Sequence, residues 1–516
     1  PNDSILYKNL NIHYYDKLQV RPNMLYRWMN YQQFVRSKQM RASNRTRLYS
    51  QYRQEQVQEK LSQLGIFSYM DMQYAPRDTT AACDTLDVTM QATFAKPLDA
   101  ELELNVVTKS NDQTGPGASF GVTRNNVFGG GESWNVKLKG SYEWQTGGGE
   151  KSSLMNSWEM GLSTSLTFPR VVFPHLGKRE FDFPATTTFR LYINQLNRAK
   201  YYKLLSFGGN ATYDFQPSRT SRHSITPFKL TFNVLQHQSE DFKEIAEANP
   251  ALYVSLRNQF IPAMEYTYTY DNASGRRIKN PIWWQSTVTS AGNITSLIYR
   301  AFGKPFNEED KSLLGAPFAQ FVKLNTELRH LWNIDKNNAI ASRMAVGALF
   351  TYGNATIAPY SEQFYVGGAN SIRAFTVRSV GPGGYHPEEG KYSYLDQTGT
   401  FRFEANVEYR FRIFKSFWGA TFLDAGNVWL LRKDRKLLAD GKEARPNSQL
   451  RLKTFPKQIA LGTGVGIRYD MDILVFRLDF GIPLHLPYDT DRSGYYNVTG
   501  AFFKNLGIHF AIGYPF

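Results

Sequence analysis

From about residue 100 to its end the chain alternates apolar and polar residues, segment after segment. A period of two is the spacing of a β-strand, whose successive side chains leave opposite faces. One segment sets Trp134, Val136, Leu138, Tyr142 and Trp144 against Asn135, Lys137, Lys139, Glu143 and Gln145. A second sets Phe401, Phe403, Ala405, Val407, Tyr409 and Phe411 against Arg402, Glu404, Asn406, Glu408, Arg410 and Arg412. Met264, Tyr266, Tyr268 and Tyr270 oppose Glu265, Thr267 and Thr269, and Leu474, Phe476, Leu478 and Phe480 oppose Val475, Arg477 and Asp479. Gly, Asn, Asp and Pro punctuate the runs, as turns require. The pattern dictates a large all-β unit.

Alternation alone leaves open whether the apolar face meets a core or lipid. Mean hydropathy is −0.44, and no run approaches the ~18 consecutive apolar residues of a membrane helix. A membrane barrel fits these facts, because its polar lumen halves its hydropathy. Strand count favours it. Strands are predicted near 100–108, 118–126, 133–146, 156–168, 186–199, 203–215, 223–237, 262–271, 282–291, 319–334, 338–352, 400–413, 417–429, 457–470, 472–482 and 505–516, which makes sixteen. Bacterial single-chain barrels have an even number. Loop parity agrees: the long connections, about 238–261, 292–318, 353–399, 430–456 and 483–504, all follow odd-numbered strands. Turns after even strands are mostly short, Val171–Pro184 being the exception. Finally, Leu506, Ile508, Phe510, Ile512, Tyr514 and Phe516 alternate with Asn505, Gly507, His509, Ala511, Gly513 and Pro515, which predicts a last strand reaching Phe516 on the lipid face.

Residues 1–96 read differently. Leu6 to Tyr15 alternates as a strand, Pro22 opens a short helix through Trp28, and a second helix is expected from about Arg47 to Leu64. Val57, Leu61 and Leu64 recur at helical spacing, and Gly65 stands where a helix-ending glycine belongs. Strands near Tyr69–Tyr74 and Leu86–Met90 complete a β-α-α-β-β module. The expected division is 1–96 for this α+β domain and 97–516 for the barrel. The chain starts at Pro1, so it is read as a mature or truncated fragment. Its single cysteine, Cys83, permits no intrachain disulfide and is read as a loop thiol. The net charge of +15 is spread over turns, loops and inward strand positions. It is read as contact with anionic outer-membrane lipid and lipopolysaccharide, and not with nucleic acid.

One loop carries a more specific pattern: Phe364-Tyr365-Val366-Gly367-Gly368-Ala369-Asn370-Ser371-Ile372-Arg373-Ala374-Phe375. This resembles the Gly-Gly…(Val/Ile)-Arg-Gly-(Phe/Tyr) segment of the Omp85 proteins, with Ala374 where Gly is usual. Phe422-Leu423-Asp424-Ala425-Gly426 is similar to the family's Phe-x-Asp-x-Gly strand, Arg477-x-Asp479 to another family pattern, and Leu61-Ser62-Gln63-Leu64-Gly65-Ile66-Phe67 to the helix end of its POTRA domains. A last strand ending in an aromatic resembles the recognition signal of bacterial outer-membrane proteins. The resemblance implies a sixteen-stranded transmembrane β-barrel in the bacterial outer membrane behind one periplasmic POTRA-like domain. It also implies that loop 353–399 folds into the lumen, where Arg373, flanked by Gly368 and Phe375, docks on Asp424 and Glu408, with Glu404 a nearby substitute. A guanidinium presents a planar fork suited to two carboxylates. The Ser371-Ile372-Arg373-Ala374-Phe375 wording and the Asp424–Trp429 run look more like the TamA-like branch than BamA.

No enzyme is expected. None of the eight histidines has a metal-binding spacing, so neither metal nor cofactor is predicted. Gly462-x-Gly464-x-Gly466 is read as small residues on a packed strand. The implied function is insertion or translocation of other proteins through the seam between the first and last strands. Leu102, Leu104 and Val106 would line one side, in a short strand, and Gly507, Gly513 and Phe516 the other. Pro515 offers no N–H, and the glycines pack little. Partners would be client barrel or secreted proteins and a TamB-like periplasmic protein. The alternative is a two-partner secretion transporter that passes one exoprotein through the lumen.

Overall fold

The computed structural model describes residues 3–29, 51–78, 80, 83, 85–108, 113–145, 157–172, 185–198, 202–240, 242–244, 258–274, 278–306, 311–313, 316–353, 358–387, 396–433, 443–471 and 475–516. The amino-terminal module contains β1 (Asp3–Tyr7), β2 (Leu10–Tyr14), α1 (Pro22–Met29), α2 (Gln51–Gln63), β3 (Phe67–Pro76) and β4 (Leu86–Phe94). β1 pairs with β2 and β3 with β4, both antiparallel. Ile12, Val20, Met24, Leu25 and Ile66 bury one small core, and Val57, Leu61 and Met72 a second. Gly65 ends α2 at φ 63°, a conformation that costs a Cβ-bearing residue energy. The run Leu6–Tyr15, read as one strand, is instead a hairpin. Lys8 at φ 56° turns the chain between β1 and β2, which the alternation on either side conceals.

Sixteen strands then form one antiparallel sheet. They are β5 (Leu98–Thr108), β6 (Gln113–Asn125), β7 (Ser133–Gln145), β8 (Ser157–Phe168), β9 (Ala185–Arg198), β10 (Tyr202–Phe215), β11 (Ser221–Gln238), β12 (Gln259–Asp271) and β13 (Ile282–Ala291), followed after a loop by β16 (Phe321–Asn333), β17 (Asn338–Thr351), β18 (Phe401–Phe414), β19 (Phe417–Trp429), β20 (Ala460–Asp470), β21 (Val475–His485) and β22 (Gly507–Ile512). The loop between β13 and β16 holds α3 (Asn293–Ala301) and the two-residue strands β14 (Ser312–Leu313) and β15 (Ala316–Pro317). Each barrel strand pairs with its chain neighbours, β13 joining β16 directly.

Exposure along the strands is inverted relative to a water-soluble protein. On β18, Val407 and Tyr409 are 47% and 38% exposed, whereas Glu404 and Glu408 are 1% and 0% exposed. Leu191, Phe228, Val465 and Phe510 are likewise exposed. An apolar outer face around a charged interior is the signature of a barrel in lipid. No described helix is long and apolar enough to cross a membrane; the strands do the crossing. The amino-terminal module sits at the short-turn end. Asn126 Nδ2 donates to the Gln19 carbonyl at 2.7 Å and the Arg21 N–H donates to the Gly129 carbonyl at 2.7 Å. Both contacts are made by the β6–β7 turn.

The first barrel strand is not short: β5 runs eleven residues. The last one is, with six residues. Beyond Ile512, Gly513 takes φ 87° and its N–H donates to the Val475 carbonyl. The chain then turns inward. Arg410, on the lumen face, donates to the Phe516 carbonyl at 3.3 Å and lies 4.4 Å from the Tyr514 ring centroid. Phe516 is therefore at the lumen side, not on the lipid face. Alternation continues through Tyr514-Pro515-Phe516, but the left-handed glycine and the missing proline N–H end the ladder.

Candidate functional site: an arginine and carboxylate cluster in the lumen

The lumen charges come from the inward rows of four adjacent strands. β18 supplies Glu404, Asn406, Glu408 and Arg410, β19 supplies Phe422 and Asp424, β20 Arg468, and β21 Arg477 and Asp479. Antiparallel register sets Asn406 opposite Asp424 and Glu408 opposite Phe422, so the two carboxylates stand diagonally across one strand pair.

The loop between β17 and β18 descends onto these rows. Its backbone turns at Gly367 (φ 103°) and Gly368 (φ 93°). A Cβ at Gly367 would lie 2.1 Å from the Thr376 carbonyl oxygen, so the turn requires glycine twice over. Gly368 N–H donates to the Phe375 carbonyl at 2.8 Å, closing the turn on the arginine between them. Ala374, where the family pattern has glycine, is not among the residues with positive φ. Ile372, Phe375, Val366 and Phe364 bury against Phe321, Leu349 and Val428 of the wall.

Arg373, 1% exposed, meets Asp424 three times. Its backbone N–H reaches Oδ2 at 3.0 Å, Nε reaches Oδ2 at 2.8 Å, and Nη2 reaches Oδ1 at 2.9 Å. Nη1 pairs with Glu408 Oε2. The guanidinium lies 3.5 Å from the Phe422 ring centroid, a stacked position suited to a cation. Glu404 engages other partners than Arg373. It binds Arg343 at 3.2 Å and Arg402 at 3.3 Å, and accepts the Ser371 hydroxyl at 2.5 Å. It thus holds the loop two residues upstream.

Three further guanidiniums complete the cluster. Arg410 Nε pairs with Glu408 at 2.8 Å. Arg468 bridges Glu408 at 3.0 Å and Asp479 at 2.6 Å, and Arg477 pairs with Asp479 at 3.4 Å. Arg373, Arg410, Arg468 and Arg477 face Glu408, Asp424 and Asp479, leaving one formal positive charge. Charges this deeply buried are tolerated only because each is paired. Arg410 and Arg468 escaped sequence reading because, on an alternating lumen face, they look like any other lumen charge.

The glycines at 462, 464 and 466 make room. A Cβ at Gly462 would stand 2.3 Å from the Ala374 Cβ, one at Gly464 2.5 Å from the Phe422 ring, and one at Gly466 2.1 Å from Asp479 Oδ1. On the next strands, added Cβ atoms at Gly481 and Gly507 would lie 2.6 and 3.2 Å from the Arg373 carbonyl oxygen. The loop tip therefore rests on β20, β21 and β22. Of the residues read as the seam, Leu102 and Leu104 are exposed on β5 and Gly507 lies on β22, whereas Gly513 and Phe516 lie beyond the last strand. Val106 belongs to β5 by its backbone pairing with Pro116. Among the described residues no His, Cys, Asp and Glu group could hold a metal ion.

The chain is similar in fold to BamA from Haemophilus ducreyi, in a crystal structure lacking POTRA domains 1–3. The match covers 96% of this chain and 81% of that one, with a TM-score of 0.58 and 12% identity. CdiB from Acinetobacter baumannii matches over 90% of this chain and 68% of its own, with a TM-score of 0.45 and 12% identity. CdiB from Escherichia coli matches over 89% and 69%, with 0.41 and 13%. The model of the Omp85 superfamily domain matches residues 126–516, which include every strand that builds the lumen cluster, and on that match the chain belongs to the Omp85 superfamily.

Proposed function

We propose that this chain inserts or translocates other proteins at the bacterial outer membrane, without catalysis, and that it works by opening between β5 and β22. The observation that carries this reading is a break in the backbone ladder. Every other neighbouring pair in the sheet has a register, but β5 and β22 have none among the described residues. Unpaired strand groups template another strand, and in lipid they are costly until paired. An incoming client strand would satisfy them. Leu102 and Leu104 on one side, and Ile508 and Phe510 on the other, are each at least 60% exposed, which suits an edge that meets lipid or a client.

In this reading the Arg373 cluster is a lock. It braces the loop tip against β20–β22 and keeps that side rigid while the β5 side moves. The amino-terminal module lies at the short-turn end, which supports placing it in the periplasm, opposite the long loops. There its two small sheets offer edges to a client or to a TamB-like partner. The Ser371–Phe375 and Asp424–Trp429 wording supports the TamA-like branch, and the exposed outer face supports contact with outer-membrane lipid and lipopolysaccharide.

Depleting the protein in its host, followed by quantitative outer-membrane proteomics, tests the reading. Loss of many unrelated barrels is expected. Loss of one secreted protein with the barrels intact would make it a two-partner secretion transporter instead.

A further inference from the structure

Helix α3, in the loop between β13 and β16, is amphipathic in the opposite sense to a core helix. Its polar side is buried: Thr295 is 8% exposed and Ser296 0%. Its apolar side is open, with Ile294, Leu297 and Ile298 at 48%, 58% and 52%, and Phe302 just beyond at 85%. The spacing of 294, 297, 298 and 301–302 places these on one face.

The helix is pinned to the outside of the barrel by polar contacts. Asn293 Nδ2 donates to Ser290 Oγ at 2.8 Å, and the Tyr352 hydroxyl donates to Asn293 Oδ1 at 2.8 Å. Ser296 Oγ donates to Gln320 Oε1 at 2.9 Å, and Lys311 Nζ donates to Ser296 Oγ at 3.1 Å. Ser290 belongs to the outward row Met264–Ser290–Val322–Phe350, which register aligns across β12, β13, β16 and β17. Met264 and Phe350 in that row are exposed to the outside. The helix therefore stands on the lipid-facing wall and not over the lumen. Gly292, at φ 69°, allows the sharp exit from β13; a Cβ there would lie 2.1 Å from the Ala319 carbonyl oxygen.

Height along the wall identifies what covers the apolar face. Outward Trp332 marks the short-turn end of β16, and Val322, paired with Phe350, lies ten residues away at the other end. At ~3.4 Å rise and ~40° tilt that is roughly 26 Å, the height of a barrel's apolar band. The helix begins immediately beyond it, at the level of the outer interface. Arg300 in the last turn and Lys304 just beyond the helix, both exposed, are cations that can reach headgroup level while their stems stay apolar.

We infer that α3 is an interfacial anchor, lying in the outer leaflet with Ile294, Leu297, Ile298 and Phe302 among acyl chains and Arg300 and Lys304 beside headgroup phosphates. This rests on the membrane-spanning reading of the barrel. It gives the wall between β13 and β16, well away from the seam, a fixed grip on the membrane.

The test is depth-dependent quenching on the full chain in a Cys83→Ser background. Leu297→Cys, Phe302→Cys and, as a reference on the barrel wall, Leu328→Cys each carry an environment-sensitive fluorophore. The proteins are reconstituted in phosphatidylcholine vesicles bearing a doxyl group either near the headgroup or near the chain end. The expected result is blue-shifted emission at 297 and 302, lost mainly to the shallow quencher, with Leu328 lost mainly to the deep one. Quenching at 328 but not at 297 or 302 overturns the anchor while leaving the barrel in lipid. No quenching at any site overturns the membrane span itself, and the anchor with it. Probes at 297 and 302 shielded from both lipid quencher and aqueous iodide would place a protein on this face, and would also overturn the proposal.

Discussion

Arg410 holds the end of the chain: its Nη2 donates to the Phe516 main-chain carbonyl at 3.3 Å, while its Nε pairs with Glu408 at 2.8 Å. The carboxyl terminus is thereby tied to the carboxylate that also receives Arg373 and Arg468. The seam strand and the loop tip thus share one cluster, through Glu408 and through Gly507 beside the Arg373 carbonyl.

Arg410→Ala is expected to release the tail. Hydrogen bonds from a charged group contribute ~1.5–3 kcal/mol, so amide exchange should rise in Gly507–Phe516 and not in Phe417–Trp429. Hydrogen exchange with mass spectrometry reads both segments. Unchanged exchange after Ile512 would remove Arg410 from this role.

Arg373→Ala leaves the buried Asp424 without its guanidinium, while Glu408 keeps Arg410 and Arg468, and breaking a buried pair costs ~3–5 kcal/mol. The loop should become open to protease, and the folded, fast-migrating gel form should be lost at a lower temperature. Arg373→Lys keeps the charge but not the fork and should fall between the two.

Two of the three acids around Arg373, Asp424 and Asp479, should separate by function. Asp424 receives three hydrogen bonds from it, whereas Asp479 approaches no closer than 3.9 Å. Asp424→Asn should undock the loop. Asp479→Asn should leave the loop protected while lowering thermal stability, because Arg477 loses its carboxylate partner and Arg468 keeps only Glu408 of its two. Protease mapping together with thermal melting distinguishes the outcomes.

Gly462→Ala should push the loop tip away, because its Cβ would fall on that of Ala374. Ala374→Gly removes that contact and should restore protection in the double variant. A single variant as protected as the parent would show that the tip has slack there.

The barrel was legible because lipid and lumen impose opposite chemistry on alternate residues, and sixteen such runs survive in the sequence. The pairing of Arg373 with Asp424 and Glu408 was legible only through motif resemblance, since each charge alone looks ordinary. Three features were hidden for physical reasons. The end of β22 depends on the backbone of Gly513, not on a change of polarity. The hairpin at Lys8 is masked by matching alternation on both sides. Helix α3 is nine residues long, too short for its period to stand out within what read as a plain 292–318 loop.

The central claim is that the β5–β22 seam must open. Cysteine pairs scanned with one member on each strand, in the full-length Cys83→Ser protein in its host, would lock it. With a pair oxidised, assembly of client proteins should stop, and reduction should restore it. Normal assembly with the seam covalently closed would contradict the account.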